Sequence, residues 1–257
     1  MSRRKLALRL RIAAGLLGGV IVLLPTAGAS QGVPTAEELH NRGIALFKEG
    51  RYEQAAEFFI KATELAPAWA EAHNDLGMAY KRLGHLVQAT EAFKVAISAS
   101  PDYALAYFNL AGAYRDLGRY GESVSAFQKA LNIEPNYPAA YNNLGVTYDL
   151  MGRYQEACKA YSNAIRLEPS LVAAYRNLGF AYQKSGQREK ALPALIAVVK
   201  LLPESAEAHF DLGLAYLTVG DRNSALTQYA AIKSKDPQLA AKLYKAIFRD
   251  KLVEARK

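Results

Sequence analysis

Asn41, Asp75, Asn109, Asn143, Asn177 and Asp211 stand at a constant spacing of 34 residues. An amide side chain carries both a donor and an acceptor, so a column of them can hold the backbone of an extended peptide without reading its sequence. The same column can instead tie neighbouring structural elements to one another. Both roles are open at this point.

Other chemistry is harder to find. His40, His73, His85 and His209 each lack a second metal ligand three or four residues on. No serine or cysteine sits in a glycine elbow, and no glycine-rich phosphate loop is present. The sequence therefore predicts no enzyme, no metal and no cofactor. Cys158 is the only cysteine, so no intrachain disulfide can form, and its place beside Ala157 predicts a small buried side chain.

The 257 residues carry a formal charge of +8, with 32 basic and 24 acidic side chains. Five of the basic ones, Arg3, Arg4, Lys5, Arg9 and Arg11, precede an apolar run from Ile12 to Leu24 that Pro25 interrupts. Ala27, Gly28 and Ala29 follow as an A-x-A cleavage site, so residues 1–29 read as an export signal. The run is shorter than the roughly 20 residues a membrane-crossing helix needs, which favours a cleaved signal over an anchor. Without these residues 27 basic side chains face 24 acidic ones. No clustered basic face stands out in that count, so no nucleic-acid partner is expected.

A 34-residue period governs most of the remainder. Pro67, Pro101, Pro135, Pro169, Pro203 and Pro237 recur at that interval, and so do Gly50, Gly84, Gly118, Gly152, Gly186 and Gly220. Glycine accepts the left-handed backbone that ends a helix, and proline stops the next one, so each period holds two helices. Small residues at Gly43, Gly77, Ala111, Gly145, Gly179 and Gly213 predict close helix contact. Tyr80, Tyr114, Tyr148, Tyr182 and Tyr216 form a stripe at core spacing. In the second helices Ala55, Ala89, Ala157, Ala191 and Ala225 face Phe59, Phe93, Phe127, Tyr161 and Tyr229, with Ser123 the one polar departure. The fifth repeat departs further, with Pro193 inside its second helix, where a kink is expected.

The L-G-x-x-Y, A-x-x-x-F/Y-x-x-A and closing-proline pattern resembles the tetratricopeptide repeat in six successive copies. The resemblance implies an all-α, open right-handed superhelical solenoid of six helix pairs, whose first helices line a concave groove. The expected organisation is a signal at 1–29, a linker at 30–35 and repeats at 36–69, 70–103, 104–137, 138–171, 172–205 and 206–239. A capping helix over 240–257 closes the stack, with a partner-binding helix or a basic membrane-surface contact as its alternatives.

In that geometry the second, fifth, sixth, ninth and twelfth positions of each first helix face the groove. The candidate peptide-binding residues are Phe47, Asn74, Met78, Phe108, Asn109, Asn142, Asn143, Arg176, Asn177, Phe180 and Phe210, with Leu217 and Lys184 nearby. The family's clamp for C-terminal carboxylates is absent, since its positions hold His40, Ile44, Phe108 and Gly112. The expected function is an exported, most readily periplasmic, scaffold that holds a protein or extended peptide. A self-associating structural subunit is one alternative. The other is an accessory that presents substrate to a separate enzyme, because the superhelix resembles the substrate-holding part of O-linked N-acetylglucosamine transferase.

Overall fold

The computed structural model describes residues 34–248. The expected signal at 1–29 and residues 249–257 of the expected capping segment lie outside the described residues.

Thirteen α-helices and no strand occur among the described residues. Six antiparallel pairs come first: α1 (Ala36–Lys48) with α2 (Tyr52–Leu65), α3 (Ala70–Arg82) with α4 (Leu86–Ala99), and α5 (Ala104–Asp116) with α6 (Tyr120–Ile133). They continue as α7 (Pro138–Leu150) with α8 (Tyr154–Leu167), α9 (Val172–Lys184) with α10 (Arg188–Leu201), and α11 (Ala206–Thr218) with α12 (Arg222–Ile232). The last helix, α13 (Pro237–Ile247), packs on both α11 and α12. Each helix also touches the next, and the first helices touch one another, α1 on α3, α3 on α5, α5 on α7 and α7 on α9. They form the inner wall of a right-handed solenoid.

Local chemistry sets the ends of these helices. Thr35 and Glu38 make a reciprocal capping box before α1, at 3.1 and 2.9 Å. At the other end Gly50 has φ +78°, and the Arg51 N–H reaches back to the Leu46 carbonyl at 3.0 Å. That pattern satisfies carbonyls the helix leaves open, and only glycine enters it without strain. It recurs at every within-repeat turn.

Between paired helices the contact is tight enough to exclude a methyl group. A Cβ on Gly77 would stand 2.6 Å from the Phe93 ring, and one on Gly145 would stand 2.5 Å from Tyr161. In the fifth repeat the same place is filled by Leu195, 2.7 Å from a Cβ on Gly179, and α10 continues through Pro193 as a single helix. The proline removes one N–H from the ladder there without ending it.

The sixth repeat differs from expectation. Tyr229 does not fill the space over Gly213; Leu243 of α13 does, 2.7 Å from a Cβ placed there. Tyr229 is half-buried and meets Tyr244 with ring centroids 5.5 Å apart. The helix α12 ends at Ile232 after 11 residues, where the other second helices have 14, and the cap takes the core position so vacated. Ser123, the polar departure in the third repeat, is fully buried and lies 3.3 Å from the Thr147 hydroxyl of the next repeat. Two polar substitutions thus meet each other, and neither hydroxyl is left orphaned.

Candidate groove site

The amide column faces the inner wall, and most of it is already bonded. Asn109 Nδ2 donates to Asn74 Oδ1 at 2.9 Å, Asn177 Nδ2 donates to Asn142 Oδ1 at 3.2 Å, and Arg176 Nε donates to Asp211 Oδ2 at 2.7 Å. His40 Nε2 lies 2.9 Å from Asp75 Oδ2. Each pair joins the fifth position of one repeat to the sixth position of the next. The fifth position was placed on the groove by the sequence but not recognised as the partner of the sixth. The signal was available, because each pair matches a donor to an acceptor at a spacing of 35.

One junction breaks the rule. Phe108 occupies the fifth position before Asn143, so Asn143 accepts from Arg115 at 2.8 Å and donates to its own helix at Ala139, 2.9 Å away. Phe108 packs edge-on against Phe127 and stacks on Tyr137, with centroids 5.7 and 5.0 Å away. Phe210 packs against the cluster built around α13, and Phe180 is half-buried on α9.

The structure brings Phe47, Asn74, Met78 and Asn109 together with Ile44, Lys48, Phe59, Asp75 and Leu105 around a pocket of about 310 Å³. It is open to the groove and spans α1, α3 and α5. Leu105 is 40% exposed, an apolar side chain left on the wall where a helix of this kind usually turns polar. Ile44, Lys48 and Leu105 were not among the expected contacts, although all three stand at or beside groove positions. The remaining candidates, Asn142, Asn143, Arg176, Asn177, Phe108, Phe180 and Phe210, lie outside this pocket.

Burial, then the carboxylates of Asp75 and Glu71, pushes the Tyr103 phenol up to about 12, which keeps it neutral. Farther along, burial raises Asp149 despite the opposing Tyr161 hydrogen bond and the Lys184 charge. Burial likewise raises Asp211 against the pull of Arg176.

His73 and His209 tie their helices to the preceding turns. His73 Nε2 lies 2.9 Å from the Pro67 carbonyl, and His209 Nε2 lies 3.1 Å from the Pro203 carbonyl, the same bond four repeats apart. Among the described residues no group of three or more His, Cys, Asp or Glu gathers to hold a metal ion. Among them also, no helix is long and apolar enough to cross a membrane.

Among solved structures, the MamA protein is 26% identical to this chain, over 67% of this chain and 94% of its own, with a TM-score of 0.60. YrrB, described as a TPR protein with an unusual peptide-binding site, is 24% identical over 74% of this chain and 99% of its own, with a TM-score of 0.61. PilF of Pseudomonas aeruginosa is 19% identical over 82% of this chain and 96% of its own, with a TM-score of 0.68. No curated protein matches the chain. Family models described as TPR repeat or tetratricopeptide repeat match residues 43–84, 111–152 and 150–186, residues 176–240, and residues 70–103. With those matches running over most of its length, on a fold whose helix pairs repeat every 34 residues, the chain belongs to the tetratricopeptide repeat family.

Proposed function

We propose that this protein is an exported scaffold that holds a segment of another protein in its concave groove, with the pocket across its first three repeats as the principal contact. The observation that carries the reading is that pocket: about 310 Å³ of space lined by Ile44, Phe47, Met78 and Leu105, with amides of Asn74 and Asn109 at its wall. Apolar lining with a few fixed polar groups is the composition that peptide and small-ligand sites share, burial giving affinity and the polar groups giving orientation. The description of YrrB as carrying a peptide-binding site supports the same use of this fold. The basic start, apolar run and A-x-A site of residues 1–29 support export.

A photo-crosslinking amino acid placed at Leu105 inside the pocket, and separately at Val87 on α4, which is 63% exposed, tests the groove. Crosslinks to a discrete partner from position 105 and not from position 87 are expected. Equal crosslinking from both, or from position 87 alone, removes the groove from the reading. Amino-terminal sequencing of the protein from fractionated cells tests export: a chain starting at Ser30 in the envelope or medium is expected, and an intact chain in the cytosol refutes it.

A further inference from the structure

The pocket's two charged side chains differ in their partners, and this selects its occupant. Two charged side chains line it, Lys48 and Asp75. Asp75 is held by His40 at 2.9 Å and by the Asn74 amide at 3.3 Å. Lys48 has no carboxylate within ion-pair distance among the described residues. A second cation, Arg82, borders the lining residue Phe47: its guanidinium lies 5.9 Å from the centroid of that ring and 5.5 Å from that of Tyr52. By contrast Lys81 of the second repeat and Arg115 of the third both meet Asp116, at 3.2 and 3.4 Å. Lys48 also sits in the last turn of α1, where a cation suits the helix dipole, and that accounts for a lysine there but not for the apolar hollow beside it.

Resting on the groove reading above, we infer that the pocket takes a peptide with one bulky apolar side chain and an acidic side chain within one or two residues of it. The apolar group enters between Phe47, Met78 and Leu105, and the carboxylate meets Lys48 and Arg82. The volume sits at the low end of the roughly 300–1,000 Å³ of ligand pockets, which suits a side chain rather than a whole helix. Residues 1–33 have five basic side chains and no acidic one, the wrong sign for this site. Residues 249–257 place Leu252 two residues from Asp250 and Glu254, but among four basic side chains that Lys48 and Arg82 repel. A segment of a different protein, without that basic surround, is the occupant this site selects.

Selection of phage-displayed random dodecapeptides on the full chain tests this, followed by fluorescence polarisation with the winning peptide labelled with fluorescein. The expected consensus pairs Leu, Met or Phe with a nearby Asp or Glu. Lys48→Glu then weakens binding at least tenfold, and a peptide with its acidic residue changed to lysine binds that variant better than it binds the native chain. Leu105→Arg abolishes binding of the selected peptide. Both substituted residues are exposed, so unchanged thermal melting is expected and separates binding from folding. Peptides lost on Leu105→Arg but indifferent to Lys48→Glu overturn the acidic requirement and leave the groove reading intact. Peptides that survive Leu105→Arg, or a selection that enriches nothing, overturn both.

Discussion

The side-chain amide of Asn109 donates to the side-chain oxygen of Asn74 across 2.9 Å, joining the third repeat to the second, with Asn74 only 2% and Asn109 only 8% exposed. Water does not compete for this bond. Asn109→Ala leaves the Asn74 oxygen buried without its partner, an omission that costs about 1–3 kcal/mol. Asn177→Ala removes a longer, half-exposed bond of the same kind and is expected to cost less. Urea unfolding of the two variants measures the difference. An Asn109→Ala variant as stable as the native chain that has lost its partner would reverse the assignment, making this amide a ligand contact and not a tie between repeats.

Gly145 meets Tyr161 so closely that an added methyl group would lie 2.5 Å from the ring, and Tyr161 is itself fully buried. Gly145→Ala overpacks this site, and such insertions cost about 1–3 kcal/mol. Gly84→Ala probes another cause, because nothing lies near its Cβ but its φ is +77°. Its cost is one of backbone strain, about 1–2 kcal/mol. Pairing each change with Tyr161→Ala, which removes the ring, separates the two by thermal melting. Gly145→Ala should cost less in that background than in the native chain, and Gly84→Ala should cost the same in both. Equal behaviour of both variants would show that packing does not limit the helix pair.

The regular parts of this fold were legible because they obey local rules. Gly50 and its five counterparts have positive φ, as a left-handed helix ending requires. What escaped needed contacts between repeats. The bond from Asn109 to Asn74 depends on how far one helix pair is rotated against the next, which no single repeat encodes. Leu243 replaced Tyr229 over Gly213 because α12 stops three residues early, and the only sequence trace is Ile232 where other repeats carry a smaller side chain. The pocket was half read: Phe47, Met78, Asn74 and Asn109 were placed on the groove, but their convergence with Leu105 and Lys48 required the superhelix.

Cys158 is buried, and burial followed by the Asp149 charge pushes its thiol up to about 11. The thiolate is the reactive form, so the native chain holds an inert thiol at pH 8. Ellman's reagent should release no colour from the folded protein over minutes and one equivalent per chain in urea. Rapid reaction without denaturant would mean that α8 opens readily or that the thiol is activated, and either outcome contradicts a merely space-filling cysteine.

Asp149 is half-buried in the last turn of α7. Its Oδ2 accepts from the Tyr161 hydroxyl at 3.1 Å, while its Oδ1 is buried with no hydrogen-bond partner. Burial is the largest influence on it and raises its pKa; the Tyr161 hydrogen bond and then the Lys184 charge oppose that rise. The sign of the consequence follows from linkage. A carboxyl that binds its proton more tightly in the folded chain favours folding at low pH, below its ordinary value of about 4. That contribution fades as pH rises through the folded-state pKa, and at neutral pH an imperfectly solvated charge is left in the wall. Asp149→Asn keeps an oxygen for Tyr161 and replaces the charge with an amide, whose burial costs less. The variant should melt higher than the native chain at pH 7, and its advantage should shrink as the pH is brought down towards 4. Other carboxylates titrate in the same range, so the informative quantity is the difference between the two proteins and not the profile of either. If the variant melts lower at pH 7, or its advantage is the same at both pH values, the Tyr161 and Lys184 contacts outweigh burial, and Asp149 is a stabilising anion in the native wall.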